Sequence, residues 1–190
     1  MEFIPEQEIN ELLEDMGVTS NAKGEACVVL DMDTEDAGVR HCLCESKNSC
    51  EGGGGWDCRE MDANQLVDSI IRSIHKIHKG QTVLIPSGKW RSVFDAVAYS
   101  MTEDEAWQEF DALATVRLNT RDPLLFESGD EQTLANLLTA LMKDGEMEEQ
   151  SVFLVPAGAP LLMHICPSGP VRLWFGNSAI ADEVAEMYAA

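Results

Sequence analysis

The stretch from Ser151 to Gly176 constrains the fold more than any other part of the chain. Three apolar runs, SVFLVP, LLMHIC and VRLWFG, are separated only by the turn-forming GAP and PSGP. Strands that return through turns this short pair antiparallel, because parallel neighbours need a crossover of a dozen or more residues. The expectation is an α+β fold with a meander over about 151–176, not a doubly wound sheet.

A second meander is expected over about 26–60. ACVVLDM is short and β-branched-rich, TEDAG is a polar turn, and in VRHCLCE the residues Val39, His41 and Leu43 alternate with Arg40, Cys42 and Cys44. That pattern predicts a hairpin. QTVLIPS adds a buried strand, ATVRLN over 114–119 predicts another, and a mixed sheet is compatible with all of these.

The intervening segments carry helical periodicity. Pro5 opens a first helix with Ile9, Leu12, Leu13 and Met16 on one face, and Gly17 stops it. The segment from about Ala63 to Lys79 has Asp62 and Gln65 as a capping box, an apolar face of Leu66, Ile70, Ile71, Ile74 and Ile77, and Gly80 beyond its end. Trp90, Val93, Phe94, Val97 and Met101 mark the next helix, and Thr102 with Glu105 is expected to restart it for Trp107 and Phe110. Ser128 with Glu131 is expected to open a helix bearing Leu134, Leu137, Leu138, Leu141 and Met142, and a terminal helix is expected over about Ile180–Tyr188. These flanking amphipathic helices and the strands fit one α+β domain over 1–190.

Charge limits the partners. With 34 acids against 13 bases the net charge is −21, which opposes binding to phosphate backbones and anionic membranes. Residues 1–71 carry −13, residues 72–121 carry +1 and residues 122–190 carry −9. A basic protein is therefore the expected macromolecular partner, at the acidic ends, and the middle third is the place for a small anion. The first residues are rich in carboxylates without Lys or Arg, unlike a secretory leader, and the apolar run ending at Cys166 is interrupted by Pro156, Gly158 and Pro160. A cytoplasmic protein without a membrane span is expected, with reduced thiols.

Three groups of residues could carry chemistry. His41, Cys42, Cys44, Cys50 and Cys58 place five soft ligands in a short span, enough for a zinc site, and the Gly-rich stretch 46–56 would be a flexible or metal-pinned loop. Cys42 and Cys44 are one residue apart, however, where zinc knuckles use two to four. Ser87, Gly88, Lys89 and Arg91 lie between a strand and a helix N-terminus, a setting that suits an anion. Asp31 and Asp33 in VVLDMDT give a local resemblance to the first motif of the haloacid-dehalogenase-like phosphatases, which implies an aspartate nucleophile and an acid–base partner. That resemblance ends with these residues, since Glu35 replaces the expected threonine or valine and no paired acids follow a later strand. His75 and His78 sit near a helix C-terminus, where the dipole accounts for them, and His164 and Cys166 belong to an apolar strand. The leading expectation is a non-catalytic interaction module that binds a basic protein. The alternative is a zinc-stabilised or metal-dependent enzyme domain.

Overall fold

The computed structural model describes residues 1–21, 27–32, 39–46, 55–167 and 169–189. Its strands are β1 (Glu2–Phe3), β2 (Val18–Asn21), β3 (Val29–Met32), β4 (Arg40–Cys44), β5 (Asp57–Glu60), β6 (Thr82–Pro86), β7 (Leu124–Phe126), β8 (Val152–Pro156), β9 (Leu161–Ile165) and β10 (Val171–Phe175). The helices are α1 (Glu6–Asp15), α2 (Ala63–Ile77), α3 (Trp90–Val97), α4 (Glu105–Ala114), α5 (Glu131–Asp144) and α6 (Ser178–Ala189). Eight strands form one mixed sheet in the order β1-β7-β6-β8-β9-β10-β4-β5, while β2 and β3 make a separate antiparallel pair. The fold is α+β.

The C-terminal meander forms as its turns require: β8 pairs antiparallel with β9, and β9 with β10. It continues into the earlier chain on both sides, through β6 against β8 and β4 against β10. The two strand-rich regions thus share one sheet. The expected 26–44 hairpin does not form. β3 pairs instead with β2, and β4 runs parallel to β5 with Cys42 opposite Cys58. A parallel partner is accessible to β5 because residues 45–56 are long enough for a crossover. VTSN of β2 is too short and polar to announce itself as a strand, so β3 seemed to lack any neighbour but β4.

The sheet is buried on both faces. Side chains alternate along each strand, so Leu84, Leu154, Met163 and Leu173 enter a core with α2, α3, α4, α5 and α6. Val83, Ile85, Phe153, Val155, Leu162 and Trp174 enter a second core with Ile9 and Leu13 of α1 and Val18, Leu30 and Met32 of the β2–β3 hairpin. The molecule therefore has three layers: five helices, the sheet, and the smaller cover of α1 with the hairpin.

Two local expectations are corrected. ATVRLN is not a strand: α4 runs into a 3₁₀ turn at Thr115–Arg117, and Val116 is 83% exposed. Its alternation is overridden because Leu118 and Thr120 offer their carbonyls to the Arg91 and Trp90 amides (2.7 and 3.2 Å), capping α3. The neighbouring PLLF supplies the strand, β7. Asp104, not Thr102, caps α4, accepting from the Trp107 amide at 2.9 Å. Helix α2 keeps its capping box at Asp62 and Gln65.

Leu154 is fully buried at the centre of the sheet. Leu154→Ala is expected to lower unfolding stability by about 2–5 kcal/mol, read from urea melts as a fall in midpoint without change in slope. A loss below about 1 kcal/mol would contradict its central position.

Candidate functional site

The cysteine group is divided by strand geometry. On β4, His41 and Leu43 point to the helix layer, and the His41 ring lies edge-on to Phe175 (5.0 Å) and Tyr188 (6.0 Å). Cys42 and Cys44 take the opposite face by alternation. His41 and these cysteines thus lie on opposite sides of the sheet, and Nε2 of His41 faces Asp57 at 3.9 Å. Cys42 and Cys58 are register partners, and Cys44 approaches the Arg59 carbonyl at 3.7 Å. Cys50 lies outside the described residues, as does most of the Gly-rich loop. Among the described residues, no three His, Cys, Asp or Glu side chains gather as a metal set. Asp31 sits on β3 of the antiparallel pair, and Asp33 is outside the described residues.

The Ser87–Arg91 loop is tied down by its neighbours. Ser87 is buried, donates its hydroxyl to the Val28 carbonyl (2.9 Å) and receives the Val28 amide (2.7 Å). Gly88 passes so close to the Glu149 backbone that a Cβ there would meet its carbonyl at 2.6 Å. The α3 amides of Trp90 and Arg91 are already bonded to carbonyls, and Arg91 Nε donates to Asn119 at 3.1 Å. The loop joins β6, the hairpin and the 3₁₀ turn at Glu148–Gln150. Lys89 alone of the basic pair opens on a pocket, shared with Arg121 and Asn119 beneath α1.

His75 pairs with Glu131, and His78 is buried between the Thr82 hydroxyl (2.7 Å) and the Glu127 carbonyl (3.0 Å), so both link α2 to its surroundings. His164 contacts Ser151 at 3.0 Å, which has the outline of a base beside a nucleophile. Ser151 is fully buried, and its hydroxyl donates to the Glu148 carbonyl at 2.7 Å. With that proton committed, His164 Nε2–H is the donor, and Nδ1 keeps its lone pair. Burial, aided by Arg172, lowers the His164 pKa from 6.5 to about 4, so the ring is neutral at pH 7. This pair is a structural bond.

What the sequence did not reveal is a local contrast within the middle third. Residues 92–116 contain six carboxylates and no Lys or Arg, whereas the bases of that third lie on either side. The three most exposed large hydrophobic residues all fall inside this stretch: Tyr99 at 87%, Val116 at 83% and Leu113 at 81%. Leu113 lies in the last turn of α4 and Val116 in the 3₁₀ turn that follows it, and Glu105 and Glu109 are exposed earlier on α4. Helix α4, which carries Leu113, is firmly seated. Asp104 accepts from the Trp107 amide, from Thr133 Oγ1 (3.2 Å) and from Asn136 Nδ2 (2.9 Å), joining α4 to α5, and Trp107 and Phe110 pack against Phe94.

No protein-family model, curated protein or solved structure matches the chain.

Two stability measurements test this description. Asp104→Ala removes the cap and two interhelical bonds, and is expected to cost about 1–3 kcal/mol in urea melts; a loss within experimental error would mean α4 is seated by packing alone. For His164, the unfolded chain takes up a proton near pH 6.5 that the folded chain accepts only near 4. Stability is therefore lost as pH falls from 6.5 towards 4, by on the order of 3 kcal/mol for this group. His164→Gln should show a correspondingly shallower fall between pH 7 and 4.5, and parallel profiles for the two proteins would refute the assignment.

Proposed function

We propose that this protein is a non-catalytic interaction module that binds a basic protein, with the end of α4 and the 3₁₀ turn that follows it at the centre of the contact. The observation that carries the reading is Leu113 at the end of α4 and Val116 in the 3₁₀ turn that follows, each more than 80% exposed within a stretch that has six carboxylates and no base. Apolar side chains at this exposure contribute nothing to the fold, whereas at an interface they form the water-excluding centre inside a charged rim. The complement of that surface is an apolar pocket rimmed by Lys and Arg. Carboxylates around it speed encounter and reject acidic competitors. The placement differs from the acidic ends of the chain, because averaging over the middle third hides the local charge.

The test uses Leu113→Glu/Val116→Glu and wild-type protein as parallel baits. Being exposed, the pair should change folding stability by no more than about 0.5 kcal/mol each. The expected outcome is a basic protein retained by wild type, released by raised salt, and lost with the double variant. Identical retention by both baits would refute this face as the contact.

A second reading, a zinc-stabilised domain, draws on Cys42 facing Cys58 in register with Cys44 on the same strand face. Stoichiometric zinc in protein purified without chelator would support it.

A further inference from the structure

On the face of the sheet covered by the hairpin, a pocket of about 330 Å³ opens between β3 and strands β8 to β10. Its floor is set by pairing register. Phe153, His164 and Arg172 are successive partners across three strands, and Trp174 lies two residues along the same face of β10. The walls are Val28 to Asp31 on one side and Trp56 on the other, with Glu148 at the rim. Side chains from rigid neighbouring strands give a site fixed geometry.

We propose that this pocket binds a small planar aromatic carboxylate, with Arg172 pairing the carboxylate, Trp174 donating its indole N–H, and the surrounding rings enclosing the flat body. Three observations bear on each part. First, Arg172 makes no hydrogen bond or ion pair among the described residues, in a chain of 34 acids and 13 bases; its guanidinium lies 5.8 Å from the Trp56 ring centre. Asp31 and Glu148 share the pocket without coming within ion-pair distance of it. An N–H fork that is not already bonded suits bidentate carboxylate recognition.

Second, Trp174 is 5% exposed and its Nε1–H is buried without an acceptor among the described residues. Buried donors are nearly always paired, and an indole N–H can only donate, so it selects an acceptor such as carboxylate oxygen. Third, the walls are aromatic and flat. Trp56 meets Trp174 edge-on at 5.1 Å, and His164 stacks on Phe153 at 4.3 Å with 18° between the rings. Such surfaces favour planar ligands with ring-on-ring or ring-on-edge contact. Among the described residues, Arg172 is the one cationic side chain lining the pocket, and the exposed Asp31 and Glu148 penalise further negative charge. A monoanion fits that balance and a phosphate does not.

The experiment is titration of isotope-labelled full-length protein with 2-naphthoate, with 2-naphthamide, 2-naphthylmethylamine, cyclohexanecarboxylate and inorganic phosphate in parallel. Binding is read by calorimetry and by the indole N–H resonances, of which the four tryptophans give four. The expected result is saturable 2-naphthoate binding that shifts the Trp56 and Trp174 signals and leaves those of Trp90 and Trp107 in place. The amide and the cyclohexane acid should bind at least tenfold more weakly, and phosphate not at all. Arg172→Met and Trp174→Phe should each weaken 2-naphthoate at least tenfold, with Arg172→Met leaving the melting temperature near that of wild type and Trp174→Phe lowering it through the lost core volume. Equal affinity for amide and acid, tighter binding of the amine, or absence of binding at millimolar 2-naphthoate would each overturn the proposal. The ligand comparisons use wild-type protein, so they decide the matter even if a variant fails to fold.

Discussion

The rest of the structure depends on the burial of the central strands from both sides. Every residue of β6 and β8 is buried, and β9 nearly so, which leaves neither sheet face to water. A meander closed by short turns cannot supply its own cover, so the chain must return to each face separately. Five helices answer on one side. On the other, α1 and the β2–β3 hairpin, drawn from the first residues, cover Val83, Ile85, Phe153 and Val155. This explains why a polar, marginal segment such as VTSN is a strand at all: it is needed as the partner that lets β3 lie flat on the sheet. Tertiary burial outweighs local propensity there.

The parts legible in the sequence were those written by short-range physics. The meander followed from GAP and PSGP, and α2 from Asp62, Gln65 and a clean apolar face. The parts that were not legible depend on partners distant in the chain. The pairing of β4 with β10 joins Cys42 to Arg172, and nothing local to VRHCLCE encodes that. The same is true of ATVRLN, whose alternation is genuine but whose carbonyls are used to cap α3. Charge averaging hid a contrast: the near-neutral middle third combines basic flanks with an acidic stretch, and the exposed Leu113 and Val116 both fall in the acidic part.

Candidate ligands fared according to strand alternation. His41 and Cys42 are adjacent in sequence and therefore on opposite faces, so five nearby donors need not converge. The anion loop illustrates the converse. Its amides look free in sequence, yet the Leu118 and Thr120 carbonyls bond those at the start of α3. A helix N-terminus offers donors only where the fold has not already used them.

One register row shows how cover dictates chemistry. Ile85, Phe153, His164 and Arg172 are successive cross-strand partners on the face beneath the hairpin. The first two are buried, while His164 and Arg172 are half-buried. Polarity rises along the row as exposure does, because a guanidinium is tolerated only where water or an acceptor can reach it. His164 stands at the transition: stacked on Phe153 and bonded to Ser151, it is dry enough to stay neutral, and it separates the apolar core from the charge on Arg172. The row thus runs from the buried Ile85 and Phe153 to the half-buried Arg172, the one arginine of the C-terminal third, which lines an aromatic pocket with Val28 to Asp31 of the hairpin side.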